Sequence, residues 1–241
     1  MNIWLVTFVS ITVILAAFVQ TTSGFAFALI ALALWPLVLP VAAATHLLML
    51  SGFLVLTIVT VQHRSHINYR LVILPSIVAA AGNALGLYLV DTVPETLMIR
   101  VLGGLLIILA FTLIFSGERL RFRPTVVNAS AAGAVSGVMN GMFNIPGPPM
   151  VLYYSTVTDS KEEYIATIQF FFWIALVQRI ILVFLTSTIS REVWLLTPFA
   201  IAGSMIGMLL GFRVFRSLST IQVRQAVFGL MIVTGLVYLV R

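Results

Sequence analysis

Residues 140–150 read NGMFNIPGPPM. Three prolines and two glycines fall within this short stretch, in the middle of a chain that is otherwise almost continuously apolar. Proline removes a backbone donor and glycine weakens helical preference. A helix that reaches Asn140 must therefore be interrupted before Met150. Upstream lies VVNASAAGAVSGVM (126–139), and downstream the apolar VLYYSTV (151–157) runs into the charged TDSKEEY (158–164). The interruption sits between two apolar helices, each short for a membrane crossing.

The rest of the chain explains why such a break matters. Of 241 residues, 61% are hydrophobic and 8% charged, whereas soluble domains run near a quarter charged. Apolar runs of spanning length recur, which defines a polytopic membrane protein. The formal charge of +6 is no nucleic-acid signature, because the basic residues sit mostly in short loops. The chain has no cysteine, which excludes disulfides, thiol chemistry and iron–sulfur sites. The N-terminal MNIWLVTFVSITVILAAF (1–18) lacks the basic region of a signal peptide and is expected to be a retained helix.

Ten apolar segments are expected, at about 3–20, 24–39, 42–61, 70–90, 96–115, 126–141, 145–157, 163–187, 192–212 and 221–240. QHRSHINYR (62–70), GERLRFRP (117–124) and FRVFRSLSTIQVR (212–224) are basic breaks between them. DTVPE (91–95) is acidic, with Pro94 suited to a first helical turn and Thr92 to a cap. The positive-inside rule places the basic loops in the cytoplasm and the loops at 91–95 and 188–192 outside. Both termini then fall on the outer side, and residues 158–164 on the inner.

The two halves read as repeats. SGFAFALIALALWP (23–36) lies over NGMFNIPGPPMVLY (140–153), setting Gly24 on Gly141, and AAATHLLML (42–50) over YIATIQFFF (164–172). Gly82, Gly86 and Gly104 match Gly207, Gly211 and Gly229 at one constant offset. Each half holds five segments, and an odd number inverts the second copy, a recurring plan of secondary transporters. The expected fold is an all-α integral membrane protein of two inverted repeats, each starting with a short broken or re-entrant helix pair. Residues 1–116 form the first repeat, 117–124 a cytoplasmic linker and 125–241 the second.

The breaks are QTTSG (20–24) and NGMFNIPGPP (140–149). Irregular backbone at membrane depth is tolerated only where protein buries it or a polar cavity borders it. Helix N-termini at a break expose N–H groups and a positive dipole end to an anion. Pro146 and Pro148 keep the chain from rewinding, and Gly147 permits close backbone approach. Ser23, Gly24, Asn140 and Asn144 surround the two breaks with neutral polar groups and bare backbone. The alternative is a tight surface loop in which the asparagines cap helix ends.

All seven acidic residues lie in or beside loops. With no carboxylate deep in any segment, carboxylate-based ion coupling and a buried metal site are both disfavoured, and an anionic substrate is favoured. Arg179 lies inside segment 163–187, with Gln178 beside it and Gln169 nearer the cytoplasm. It reads either as a bidentate ligand for an oxyanion or as a donor to carbonyls of a broken helix or a group snorkelling outward. His46 is either a packing histidine or a group that titrates with substrate. Asn83, at mid-helix depth, either faces a cavity or joins helices. The Gly82/Gly86 and Gly203/Gly207/Gly211 spacings predict close helix packing. An intramembrane enzyme is a poor fit, since no local signature joins Ser23 to His46.

SGFAFALIALALWPLVLP (23–40) together with SGVMNGMFNIPGPPMVLYY (136–154) resembles the TauE/SafE family of membrane proteins, over essentially the whole chain. The more specific motif is the Gly-x-x-Gly-Pro-Pro-like core, here Asn144-Ile145-Pro146-Gly147-Pro148-Pro149. Where the family commonly reads Gly-Phe-Gly, this chain has Gly24-Phe25-Ala26. The resemblance implies export of sulfite or small organosulfonates across a prokaryotic inner membrane, with no cofactor. The resulting expectation is a potential-driven permease with a midplane site between the two broken pairs. A channel or permease for another small anion is the alternative. Lipid and the anion are the expected partners, and a homodimer is left open.

Overall fold

The computed structural model describes residues 3–23, 27–115, 123–214 and 220–241. Ser23 closes the first helix, but its side chain lies outside what is described, as do Gly24, Ala26 and the linker residues 117–122.

Among the described residues the secondary structure is helical. The helices are α1 (Ile3–Ser23), α2 (Phe27–Leu34), α3 (Val41–Gln62), α4 (Tyr69–Thr92), α5 (Glu95–Phe115), α6 (Val126–Phe143), α7 (Gly147–Val157), α8 (Lys161–Thr186), α9 (Arg191–Val214) and α10 (Thr220–Val240). Six of them are long and apolar enough to cross a membrane: α1, α3, α4, α5, α8 and α9. The short pieces stand where the sequence is broken. With 8 and 11 residues, α2 and α7 rise only about 12 and 17 Å, against a hydrocarbon core of about 30 Å.

The polarity of the surface is that of a protein solvated by lipid. Leu185 is 77% exposed and Ile77 65%, while Asn83, Asn140, Arg179 and Gln169 are buried. Water offers no reason to turn large apolar side chains outward and polar ones inward, whereas hydrocarbon does.

Helix ends follow local chemistry. Thr125 caps α6 by accepting from Asn128 N at 3.2 Å. Ser160 caps α8 by accepting from Glu163 N at 3.1 Å. Glu163 reaches back to accept from Asp159 N at 2.9 Å and from Asn68 Nδ2 at 2.6 Å. One expected cap moves. Thr92 does not start α5 but ends α4, its hydroxyl donating to Tyr88 O at 2.9 Å. Pro94 itself stands before Glu95, its carbonyl accepting from Leu97 and Met98 N–H. A threonine in the last turn of an intact helix finds a carbonyl acceptor on that helix before it finds a donor on the next.

The chain divides into two compact units. The first comprises Met1–Val55, Val93–Ile114 and Ile189–Arg241, and the second Leu56–Thr92 and Phe115–Thr188. In the first unit α9 lies along α1. A Cβ added at Gly207 would strike the Ile14 carbonyl, and one at Gly211 would come to 3.0 Å from the Phe18 carbonyl. Trp35 Nε1 donates to Thr12 Oγ1 at 2.8 Å, and Tyr238 Oη to Ala33 O at 2.7 Å. Val41 N, at the start of α3, donates to Glu95 Oε1 at 3.3 Å.

In the second unit α4 lies along α6. Both helices supply glycine. Gly82 approaches Ala134 O and Gly86 the Val138 O, while Gly133, Gly137 and Gly141 meet the α4 backbone at Pro75, Ala79 and Asn83. Backbone contact this close leaves no room for any side chain larger than hydrogen. The aromatic core of this unit gathers Tyr154 of α7 with Phe171 and Phe172 of α8, and Tyr154 Oη donates to Leu71 O at 3.3 Å.

The two helix pairs share a register. The step in numbering that carries Ser23 to Phe143 and Phe27 to Gly147 also carries Ile14 to Ala134 and Phe18 to Val138.

Candidate functional site: the α6–α7 break

α6 ends at Phe143, and Asn144 takes the left-handed conformation, φ 57° and ψ 37°. It is the one non-glycine residue with positive φ among those described. Asparagine tolerates this region better than other side chains. The Asn144 N–H donates to Asn140 O at 2.8 Å, the closing bond of a left-handed helix cap. Ile145 and Pro146 carry the chain to α7, and Ser136 Oγ donates to Pro146 O, tying the far side of the break back onto α6.

An interrupted helix leaves its last carbonyls without partners. Arg179 of α8 adds donors there. It is fully buried, and its Nη1 donates to both Asn140 O and Gly141 O. A cation at this end of α6 also complements the negative end of the helix dipole. Of the readings open for Arg179, donation to the carbonyls of a broken helix is therefore present in the structure.

A second junction lies on the same face of α8. Asn140 Nδ2 and Asn83 Nδ2 both donate to Ala175 O, at 3.0 and 3.4 Å. Gln178 Nε2 donates to Ser76 O at 3.1 Å. Asn83 and Asn140 are each 1% exposed. The amide oxygens of Asn83, Asn140 and Gln178, and the Ser76 hydroxyl, are buried without hydrogen-bond partners among the described residues.

The donors expected at the start of α7 are fewer than the helix-terminus argument supposed. Pro146, Pro148 and Pro149 occupy the cap and two of the first three helical positions, and proline has no N–H. Only Gly147 retains one. A Cβ there would meet nothing nearer than Phe172 Cζ at 3.6 Å, an ordinary contact.

The structure thus brings together Asn83, Asn140, Asn144, Pro146, Gly147, Pro148 and Arg179 around one break. Gln169 stands about 15 Å back along α8 from Arg179, where its carbonyl accepts from Thr60 Oγ1 at 3.3 Å. His46 is buried on α3 in the first unit. Four participants were absent from the expected site: Ser136, Ser76, Gln178 and the Ala175 carbonyl. A signal existed for Ser136, a hydroxyl one turn before Asn140 on an apolar helix. A backbone carbonyl such as that of Ala175 carries no mark in the sequence.

Among the described residues no group of three or more histidine, cysteine, aspartate or glutamate side chains could hold a metal. Apolar spanning helices, with a proline-locked interruption beside a buried polar cluster, are those of a multi-pass membrane protein. The family model described as Sulfite exporter TauE/SafE matches residues 9–238, and the chain belongs to that family. It is a multi-pass membrane transporter and not an enzyme. Searches of curated proteins and of solved structures returned no match.

Proposed function

We propose that this protein is a permease that exports a small sulfur oxyanion or organosulfonate, sulfite- or sulfoacetate-like, and that the α6–α7 break is where the second unit takes the anion. The observation that carries this reading is the buried cluster at the break, polar yet free of carboxylates. Asn83 lies near the middle of α4, about 21 Å along a helix of about 36 Å, which supports a site at membrane depth. Gly147 N–H and the positive end of α7 face an incoming anion without an opposing negative charge. His46, Ser23 and Gly24 are proposed to serve the corresponding break of the first unit.

The matching registers of the α1–α9 and α4–α6 pairs support the reading of the halves, 1–116 and 125–241, as inverted repeats. On that reading each half lends its fourth helix to a partner from the other. The basic loops support a topology with both termini on the outer side, and the membrane is proposed to be a prokaryotic inner membrane. Export of an anion is then driven by the membrane potential, worth about 2.3 kcal/mol per charge per 100 mV.

Proteoliposomes loaded with labelled sulfite test this. An imposed potential, positive on the acceptor side, is expected to accelerate efflux, and a proton gradient at zero potential to leave it unchanged. Efflux that follows the proton gradient alone overturns the potential-driven uniport.

A further inference from the structure

The two breaks are laid out in the same register and finished differently. In the first, Phe27 N at the start of α2 donates to Gln20 Oε1 at 2.9 Å. A side chain of α1 thereby closes the N-terminus of the helix that follows. The same numbering step carries Gln20 to Asn140 and Phe27 to Gly147. Asparagine is one methylene shorter than glutamine, and Asn140 gives its amino group to Ala175 O. Its Oδ1 is left buried and unpartnered, and Gly147 N–H makes no hydrogen bond among the described residues. The donor and acceptor that meet in the first break stay apart in the second.

Asn83 adds a second acceptor. Its amino group goes to the same Ala175 carbonyl, leaving its Oδ1 buried and unpartnered as well. These orientations are not interchangeable. Turning either amide over would set its oxygen against the Ala175 oxygen, so the oxygens must be the free ends. The second break therefore offers one free backbone donor and two free acceptors, deep in a unit where an unsatisfied buried acceptor is costly.

We propose that the α6–α7 break selects an oxyanion that still carries a proton, of the hydrogen sulfite kind in its O–H form, over oxyanions of similar size without one. The negative oxygens take the Gly147 N–H and the positive end of α7. The ligand's O–H donates to the Asn140 or Asn83 amide oxygen. A sulfonate or a sulfite dianion has no such donor and sets its lone pairs against those amide oxygens. The inference rests on the break being the substrate site.

The test uses purified full-length protein in detergent and calorimetric titration with two monoanions, hydrogen sulfite and methanesulfonate. The second has the same charge and no proton. Titrations run from acidic pH upward through the ionisation that converts hydrogen sulfite to sulfite. Hydrogen sulfite is expected to bind about tenfold tighter than methanesulfonate, the effect of satisfying one buried acceptor. Its affinity should fall as the proton leaves, while that of methanesulfonate stays flat.

Asn140→Gln restores the side-chain reach that closes the first break, so both ligands should lose binding while thermal stability is kept. Asn83→Leu is the second variant. It removes one acceptor, leaves Gly147 free, and should narrow the preference several-fold. Equal affinities for both probes at every pH, lost in Asn140→Gln, overturn the proton selection and leave the break as the site. Hydrogen sulfite binding that survives both substitutions in folded protein overturns the site as well, as does failure of the unaltered protein to bind either probe.

Discussion

Arg179 shows how a single buried charge is held in hydrocarbon. No carboxylate accompanies it among the described contacts of the break. Its Nη1 instead meets two carbonyls in the last turn of α6, and the helix dipole adds a favourable field. Both sides gain from the arrangement, since Asn140 O carries only the Asn144 N–H bond and can accept a second, and the guanidinium lacks water. Arg179→Leu is expected to destabilise the protein by about 2–3 kcal/mol, the range for losing charge-assisted hydrogen bonds to buried acceptors. Arg179→Lys should retain part of that, because an ammonium still donates but lacks the planar fork. Thermal unfolding in detergent without ligand measures both. Loss of transport at unchanged melting temperature would instead place the guanidinium on the substrate.

The elements are joined by glycine. On α4 and α6 the glycines alternate across the seam, and backbone meets backbone from Pro75 to Leu87. Overpacking a seam of this kind costs about 1–3 kcal/mol or more, because backbone has nowhere to move. Gly137→Val is expected to abolish recovery of monodisperse protein in size-exclusion chromatography. Gly104→Ala and Gly229→Ala should behave as the unaltered protein, since a Cβ at either position meets nothing within 4 Å.

At this same scale the sequence was most legible. Among the described residues the ten helices lie on the expected apolar runs, most of them bounded by charge or proline, and the observed ends differ from the expected ones by only a few residues. Gly82, Gly86, Gly207 and Gly211 pack as their spacing predicts, whereas Gly104 and Gly229, in the same numerical register, face open space. Number alone does not say which side of a helix is covered. The polar cluster was half legible: Asn83, Asn140 and Arg179 stand out as polar residues in apolar runs. Their shared acceptors are backbone carbonyls, which every residue has and none advertises. The scarcity of donors at α7 was readable from Pro146, Pro148 and Pro149, each of which removes a backbone N–H from the helix start that the anion site needs.

Across the whole molecule, neither compact unit is contiguous in sequence. The first takes α9 and α10 from the C-terminal half, and the second takes α4 from the N-terminal half. Separating the chain within the 117–124 linker therefore leaves each fragment with an unpartnered glycine face. Expressed singly, the fragments are expected to be degraded or to aggregate; expressed together, they should co-purify as one species. Stable, monodisperse fragments obtained separately would show that the halves fold as independent bodies.

The pairing of α1 with α9 also sets an order of events during synthesis. When α1 leaves the ribosome, the helix bearing Gly203, Gly207 and Gly211 has not been translated. The face of α1 around Ile14 and Phe18 must wait in lipid, or against a chaperoning surface of the insertion machinery, until residue 211 has been made. α4 waits less, because α6 follows after one intervening helix. The second unit is therefore poised to assemble first in the growing chain. A truncation after α8 should already yield a protease-resistant α4–α6–α8 core, while α1 in the same fragment remains open to cleavage or cross-linking.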